Sequence, residues 1–196
     1  MKLYYSNGSC SLSTHIALEE SGAKFEAQRL NLREGEQRRP EYLAVNPKGK
    51  VPALVVDEGV ITEVPAVLSY IADTHPQAGL LPAPGQFARA KAQEWMAWSA
   101  STVHRDFSPL FRDPHNEEQR KLVQSHLVHY DAWLKDPYVL GATFSVADCY
   151  TAVFTLWALR MGFTVGPKMR ASAKALLARP AVQRVVEIHQ VKYENL

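Results

Sequence analysis

Cys10 is the residue with the most to offer chemically. It stands in the string Ser9-Cys10-Ser11-Leu12-Ser13, just where an apolar-aromatic run at residues 2–5 breaks at Ser6, Asn7 and Gly8 ahead of a helical pattern. The first turn of a helix leaves backbone N–H groups unpaired and carries partial positive charge, so a thiolate, or the thiolate of a bound ligand, is stabilised there. The helix end supplies only about 0.3–1 kcal/mol, so a thiol starting near about 8.5 stays mostly protonated at neutral pH unless a second donor helps. A hydrogen bond to the charged sulfur adds about 1.5–3 kcal/mol, and the hydroxyls of Ser9, Ser11 and Tyr5 are the nearest candidates in sequence. The same string also fits a buried cysteine used as a small apolar residue, with the serines serving as helix caps.

Two further places invite a ligand. At Val51-Pro52, a cis peptide before a strand would turn the backbone N–H and C=O of Val51 outward, where an extended peptide could pair with them. The residues alone favour trans, because cis is the minority form of X–Pro bonds in folded proteins. At Glu63-Val64-Pro65 a carboxylate precedes a helix start, so backbone N–H groups could hold an anion while Glu63 pairs with an ammonium; acidic charge at a helix N-terminus also accounts for it.

In the second half, His104, Arg105, Phe107 and Phe111 fall at helical spacing, as a polar and aromatic wall or as core. His126 and His129, three apart, could share a helix face as metal ligands. No third ligand is near them in sequence, a solvated helix face accounts for them, and no metal is expected. Ser145-Val146-Ala147-Asp148 has the spacing of a capping box, a signal about folding rather than catalysis.

The elements that must position these residues fall into two groups. Residues 2–5 read as a strand, 11–20 as a helix stopped by Gly22, and 25–32 as a second strand. After a short helix ending at 41–45, the turn chemistry of Asn46-Pro47-Lys48-Gly49-Lys50 leads into strands at 53–56 and 60–62 across Asp57-Glu58-Gly59. A helix at 65–73, with Pro65 in its first turn, closes a first module at residues 1–76. Residues 77–86, with two prolines and two glycines, form a linker. Beyond it, 87–111, 117–134, 146–161, 169–178 and 181–191 all read as helices, so 87–196 is expected to be all-helical.

Composition sets the outer bounds. The chain has 196 residues, 46% hydrophobic and 21% charged, with 22 Lys and Arg against 20 Asp and Glu. That is ordinary core-forming material, which excludes disorder, collagen and a disulfide scaffold. The two cysteines, Cys10 and Cys149, are expected to be thiols. No apolar run reaches the roughly 18 residues of a membrane span or forms a signal peptide, so a soluble, cytoplasmic protein is expected. The tightest basic cluster is Arg38-Arg39, too little for a nucleic-acid reader.

Taken together, these strings resemble the cytosolic glutathione S-transferase family over nearly the whole chain, and most closely its bacterial beta class. The opening MKLYYSNGSCSLSTHIALEESG resembles that class, with Cys10 at its characteristic cysteine. NPKGKVPAL is similar to its cis-proline segment, ITEVPAVLSYIAD to its third helix, and FSVADC to its capping-box motif; Val103-His104-Arg105 followed by FSPLF resembles its fourth-helix segment. The resemblance implies a thioredoxin-like α/β N-terminal domain, an all-helical C-terminal domain, a homodimer, and glutathione as co-substrate. It implies that Cys10 lies against the glutathione sulfur, that Val51 and Pro52 meet the cysteinyl unit, and that Glu63 and Val64 meet the γ-glutamyl group. Ser101 and His104 would face the cleft, and Phe107, Phe111 and Trp157 would form the apolar wall for a hydrophobic electrophile.

The chain also departs from that pattern. Val64 and Pro65 follow the acid where the family often has Ser, Gly or Asn, removing a side-chain donor and an N–H. Ala97 replaces a frequent Asn, and Gly35 falls near where a Lys can assist the ligand. Each lost charged contact costs about 1.5–3 kcal/mol, roughly tenfold to a hundredfold in affinity. Three functions are therefore carried forward: conjugation of the glutathione thiolate to electrophiles, thiol–disulfide exchange through Cys10 itself, and non-catalytic binding by a weakened glutathione site.

Overall fold

The computed structural model describes residues 1–192. Along the chain run β1 (Lys2–Tyr5), α1 (Ser11–Ser21), β2 (Glu26–Arg29), α2 (Pro40–Leu43), β3 (Ala53–Val56), β4 (Gly59–Thr62) and α3 (Val64–Thr74). They are followed by α4 (Phe87–Trp98), α5 (Arg105–Phe107), α6 (Glu117–Trp133), α7 (Val146–Arg160), α8 (Pro167–Leu177) and α9 (Pro180–Ile188). Two compact units result, one made of Met1–Leu81 with Arg179–Lys192, the other of Pro82–Ala178.

In the first unit the four strands take the order β2-β1-β3-β4. β1 runs parallel to β2, which requires the α1 crossover, and antiparallel to β3, which turns back into β4. The period of two in β1 decides what lies on each face. Leu3 and Tyr5 are buried on one side, while Tyr4 points to the other, where its ring meets Tyr42 at 5.3 Å beside a small core of Leu30, Tyr42, Val51 and Ala53. This is the expected thioredoxin-like arrangement of strands and helices followed by a helical unit. Gly22 ends α1 as expected, at φ 71°, a left-handed conformation that a side chain would strain.

Several boundaries moved for physical reasons. β2 covers four residues rather than 25–32, because Asn31 caps a tight 3₁₀ turn at Leu32–Glu34, accepting from the Arg33 N–H at 3.2 Å. The helix expected at 87–111 changes pitch along its length: α4 widens into a π-helical stretch at Ser99–His104, resumes as α5, and tightens at Ser108–Phe111 around Pro109.

The last helix groups with the first compact unit. α9 falls within 87–196, yet it packs on α1 of the first unit. Val182, Val185 and Val186 are buried, Arg179 donates to both carboxylate oxygens of Glu20 at 2.7 Å, and Arg184 donates to Glu19. An apolar stripe with flanking arginines opposite Glu19 and Glu20 is what draws it back. Residues 193–196 of the expected helical module lie outside the described residues. No helix among the described residues is long and apolar enough to cross a membrane.

The second unit contains a close approach to a glycine. A Cβ built on Gly166, the residue before α8, falls 2.2 Å from the Asp131 carboxyl carbon, and the Asp131 carboxylate accepts from the Met169 N–H at 2.9 Å. Gly166→Ala is expected to displace that carboxylate and destabilise the protein by about 1–3 kcal/mol, measured by urea unfolding; a loss under about 0.5 kcal/mol would mean Asp131 moves aside freely.

Candidate functional site

The site of the first unit is built on two loops and two helix starts. At α1, Cys10 is the N-cap residue and 7% exposed, and its thiol donates to the Val51 carbonyl at 3.4 Å. The fold thus brings Cys10 onto the Val51-Pro52 segment, whose peptide bond is cis. That bond differs from what the residues alone favoured and agrees with what the resemblance implied.

The electrostatics of Cys10 differ from those expected at a helix end. Burial, with a smaller contribution from the Glu63 carboxylate, pushes the thiol up to about 12, against the opposing effect of its neighbouring backbone N–H groups and Lys50. Desolvation outweighs the helix end because the sulfur is out of water, where the charged form loses far more than one helix terminus returns. Cys10 is therefore a protonated donor.

Of the three hydroxyls considered as helpers, those of Ser9 and Ser11 are engaged within the turn. Ser9 Oγ donates to the Ser6 carbonyl at 2.9 Å and lies 2.6 Å from Ser11 Oγ, which accepts from the Ser6 N–H at 3.0 Å. These contacts close the turn between β1 and α1, and Ser11 is fully buried. Tyr5 lies on the face packed by α1 and α9, where strand alternation turns it, its ring 5.0 Å from His15 and 4.7 Å from His189. In this structure Ser11 closes the turn and Tyr5 packs against the two histidines.

Val51 is held from behind. Tyr42 Oη and Asn46 Nδ2 both donate to the Lys50 carbonyl, at 2.5 and 2.7 Å, and Asn46 Oδ1 accepts from the Lys48 N–H at 3.1 Å. At α3, Glu63 sits at φ 69°, a left-handed conformation that costs a residue with a side chain about 1–3 kcal/mol and that concentrates at ligand sites. α3 begins with Val64 and Pro65 and has no side-chain cap. The Glu63 carboxylate accepts from Lys48 Nζ at 2.7 Å, and the same ammonium donates to Thr62 Oγ1 at 2.9 Å. Lys48 escaped the sequence reading because a lysine in a polar turn looks like ordinary surface; its position opposite Glu63 across the hairpin is a tertiary fact.

The second unit holds the remaining candidates. His104, at the end of the π-helical stretch, has Nδ1 2.9 Å from Tyr150 Oη and its ring 5.1 Å from Trp157. Tyr150, a buried residue of α7, was missed because it looks like core in sequence. Phe107 is fully buried against Phe154 and Phe163, so it is core and not an exposed wall. Trp157 is also buried, while Phe111, 45% exposed, packs its ring on Trp157 at 4.8 Å. Ser101 is exposed beside Thr102. His126 Nε2 donates to the Asp106 carboxylate at 2.8 Å and His129 stacks on Trp133, so the two histidines face different partners. Among the described residues no three His, Cys, Asp or Glu side chains could hold a metal ion.

Comparison with known proteins places this geometry. The model of the glutathione S-transferase N-terminal domain matches residues 1–73, and that of the C-terminal domain residues 90–186. Glutathione S-transferase GstA of Escherichia coli O157:H7 is 34% identical over 98% of this chain and 100% of that protein. A sphingomonad glutathione S-transferase solved in complex with glutathione superposes with a TM-score of 0.88 at 39% identity, covering 98% of this chain and all of the other. A beta-class glutathione S-transferase from Sphingomonas chungbukensis superposes with a TM-score of 0.88 at 36% identity, over 98% of this chain and all of its own. With both family domains matched and such relatives aligned end to end, the chain belongs to the glutathione S-transferase family and is structurally close to its bacterial beta class.

Proposed function

We propose that the protein binds glutathione as co-substrate and transfers its thiolate to small hydrophobic electrophiles. The observation that carries the reading is Cys10: a buried thiol kept protonated, donating to the carbonyl of Val51 at the end of a helix. A protonated thiol is a hydrogen-bond donor for a neighbouring sulfur anion, and donors that stabilise the glutathione thiolate raise the nucleophile's population at neutral pH. In this reading Val51, next to Pro52, pairs its backbone with the cysteinyl unit, and Glu63 takes the γ-glutamyl ammonium while the N-terminus of α3 at Val64 takes the adjacent carboxylate. In the second unit, Tyr150 holds the His104 imidazole and Phe111 presents exposed apolar surface. A homodimer and a cytoplasmic location complete the proposal.

Thiol–disulfide exchange by Cys10 is less well supported, because the attacking species is the thiolate and burial disfavours it. Assaying glutathione conjugation of a chloronitrobenzene separates the two. Wild-type protein is expected to accelerate it, and Cys10→Ala to lower kcat/KM about 10- to 100-fold through loss of one charge-assisted hydrogen bond. No acceleration over the solution reaction across several electrophiles would overturn the transferase reading; disulfide reductase activity that disappears in Cys10→Ala would favour exchange.

A further inference from the structure

The departures at the start of α3 pose a problem that Lys48 solves. A γ-glutamyl group carries an ammonium and a carboxylate on one carbon. Glu63 offers the ammonium a carboxylate, but the place for the ligand's carboxylate is depleted: Val64 has no side-chain donor and Pro65 has no N–H. In the structure the neighbouring turn brings a cation to this point. Lys48 Nζ lies 2.7 Å from Glu63 Oε1 and 2.9 Å from Thr62 Oγ1. Its backbone is held by Asn46, itself 2% exposed, so the stem starts from a fixed point while the ammonium at its end is exposed and able to turn.

We propose that Lys48 is a binding and specificity-determining residue of the glutathione site: it neutralises Glu63 when the site is empty and, when the ligand's ammonium takes Glu63, turns to hold the carboxylate on the same carbon. The inference rests on the glutathione reading above. It follows from reach. A flexible ammonium that touches Glu63 is within reach of a carboxylate attached one carbon from anything else that touches Glu63. The exchange keeps charge balanced throughout, because the incoming group is a zwitterion: Glu63 trades one ammonium for another, and Lys48 trades one carboxylate for another. The exposed Lys48–Glu63 pair that must open is of the class that contributes little by itself, so opening it costs the ligand little. Lys48 therefore supplies the donor that Val64 and Pro65 withhold, and selects ligands bearing both charges of an α-amino acid.

Titration calorimetry with glutathione and with γ-aminobutyryl-Cys-Gly, which keeps the ammonium but lacks the α-carboxylate, tests this on the full-length protein. Lys48→Met is expected to weaken glutathione about 2- to 5-fold while leaving the analogue's affinity unchanged or improved, and Lys48→Arg to bind glutathione as wild type does. Equal weakening of both ligands would make Lys48 a merely structural residue and overturn the proposal, as would glutathione binding by Lys48→Met as tight as, or tighter than, wild type, which would make the lysine only an obstruction. Failure of the parent reading shows separately: wild-type protein would then bind no glutathione at millimolar concentration. An exposed side chain makes misfolding a minor concern, and an unchanged thermal midpoint of each variant checks it.

Discussion

Taking the protein from pH 7 to pH 5 is expected to lower its unfolding free energy by about 2–3 kcal/mol, the balance of a larger loss at one buried pair of histidines and a smaller gain at a buried aspartate. His15 Nδ1, on α1, lies 3.0 Å from His189 Nε2 at the end of α9, and both residues are 1% exposed. One ring donates and the other accepts, and burial keeps both imidazoles neutral. Burial holds His15 down to about 4 despite the attraction of Glu19, and burial together with His15 holds His189 down to about 3. The unfolded chain takes up protons near about 6.5 and the folded one does not. The pair's contribution is therefore fully present above that pH and is lost as pH falls toward the folded values.

By pH 5 the two histidines together lose about 4 kcal/mol, or about 2 kcal/mol each. Asp148 acts in the opposite sense. Burial raises it to about 6, so on acidification the folded protein binds a proton that the unfolded chain does not, returning about 1 kcal/mol. The histidines prevail because there are two of them. Urea unfolding at pH 7, 6 and 5 measures the slope, and His189→Gln, which removes one titrating group, is expected to reduce it by up to about 1.4 kcal/mol per pH unit. An identical slope in that variant would show that the pair does not govern acid stability. Because α9 is tied to α1 by this pair and by the Arg179–Glu20 ion pair, its release is expected to accompany the acid transition.

Asp148→Ala is expected to cost about 3–5 kcal/mol, lowering Tm by about 10 °C or more. The carboxylate is 2% exposed and accepts from the Val139 N–H at 2.6 Å, from the Ser145 N–H at 2.7 Å and from Ser145 Oγ at 2.9 Å. Truncation would strand two backbone N–H groups in the interior, each left without the water that satisfies it in the unfolded chain. Asp148→Asn, which keeps one accepting oxygen, is expected to lose about half as much. Calorimetric Tm values of the three proteins decide it; a fall of under about 3 °C for Asp148→Ala would mean that the loop before α7 finds other partners.

The capping box that produces this sensitivity was legible in sequence because its two members are three residues apart and need only the helix they start. Other local features were legible for the same reason: Gly22 at the end of α1, the turn at Asp57-Glu58-Gly59, and Pro65 in the first turn of α3. Val146 to Arg160 could be recognised as a helix by periodicity, but the same periodicity made Tyr150 look like any core aromatic. Its contact with His104 joins residues 46 positions apart. Lys48 is the sharper case, since a lysine beside a proline in a polar turn has no signature until the β3–β4 hairpin carries Glu63 to it.

By itself, the sequence determined the order of strands and helices, the caps that bound them, and the motif string that places the chain in its family. These depend on interactions among residues within a turn or two of one another. The tertiary structure decided the state of each group that matters chemically. It buried Cys10 and thereby made it a proton donor, turned Tyr5 to the α1 and α9 face through strand alternation, and placed Phe107 in the core. It also returned α9 to the first unit and set Lys48 against Glu63. Each of these depends on desolvation or on contacts between distant segments, and such quantities exist only once the chain has folded around them.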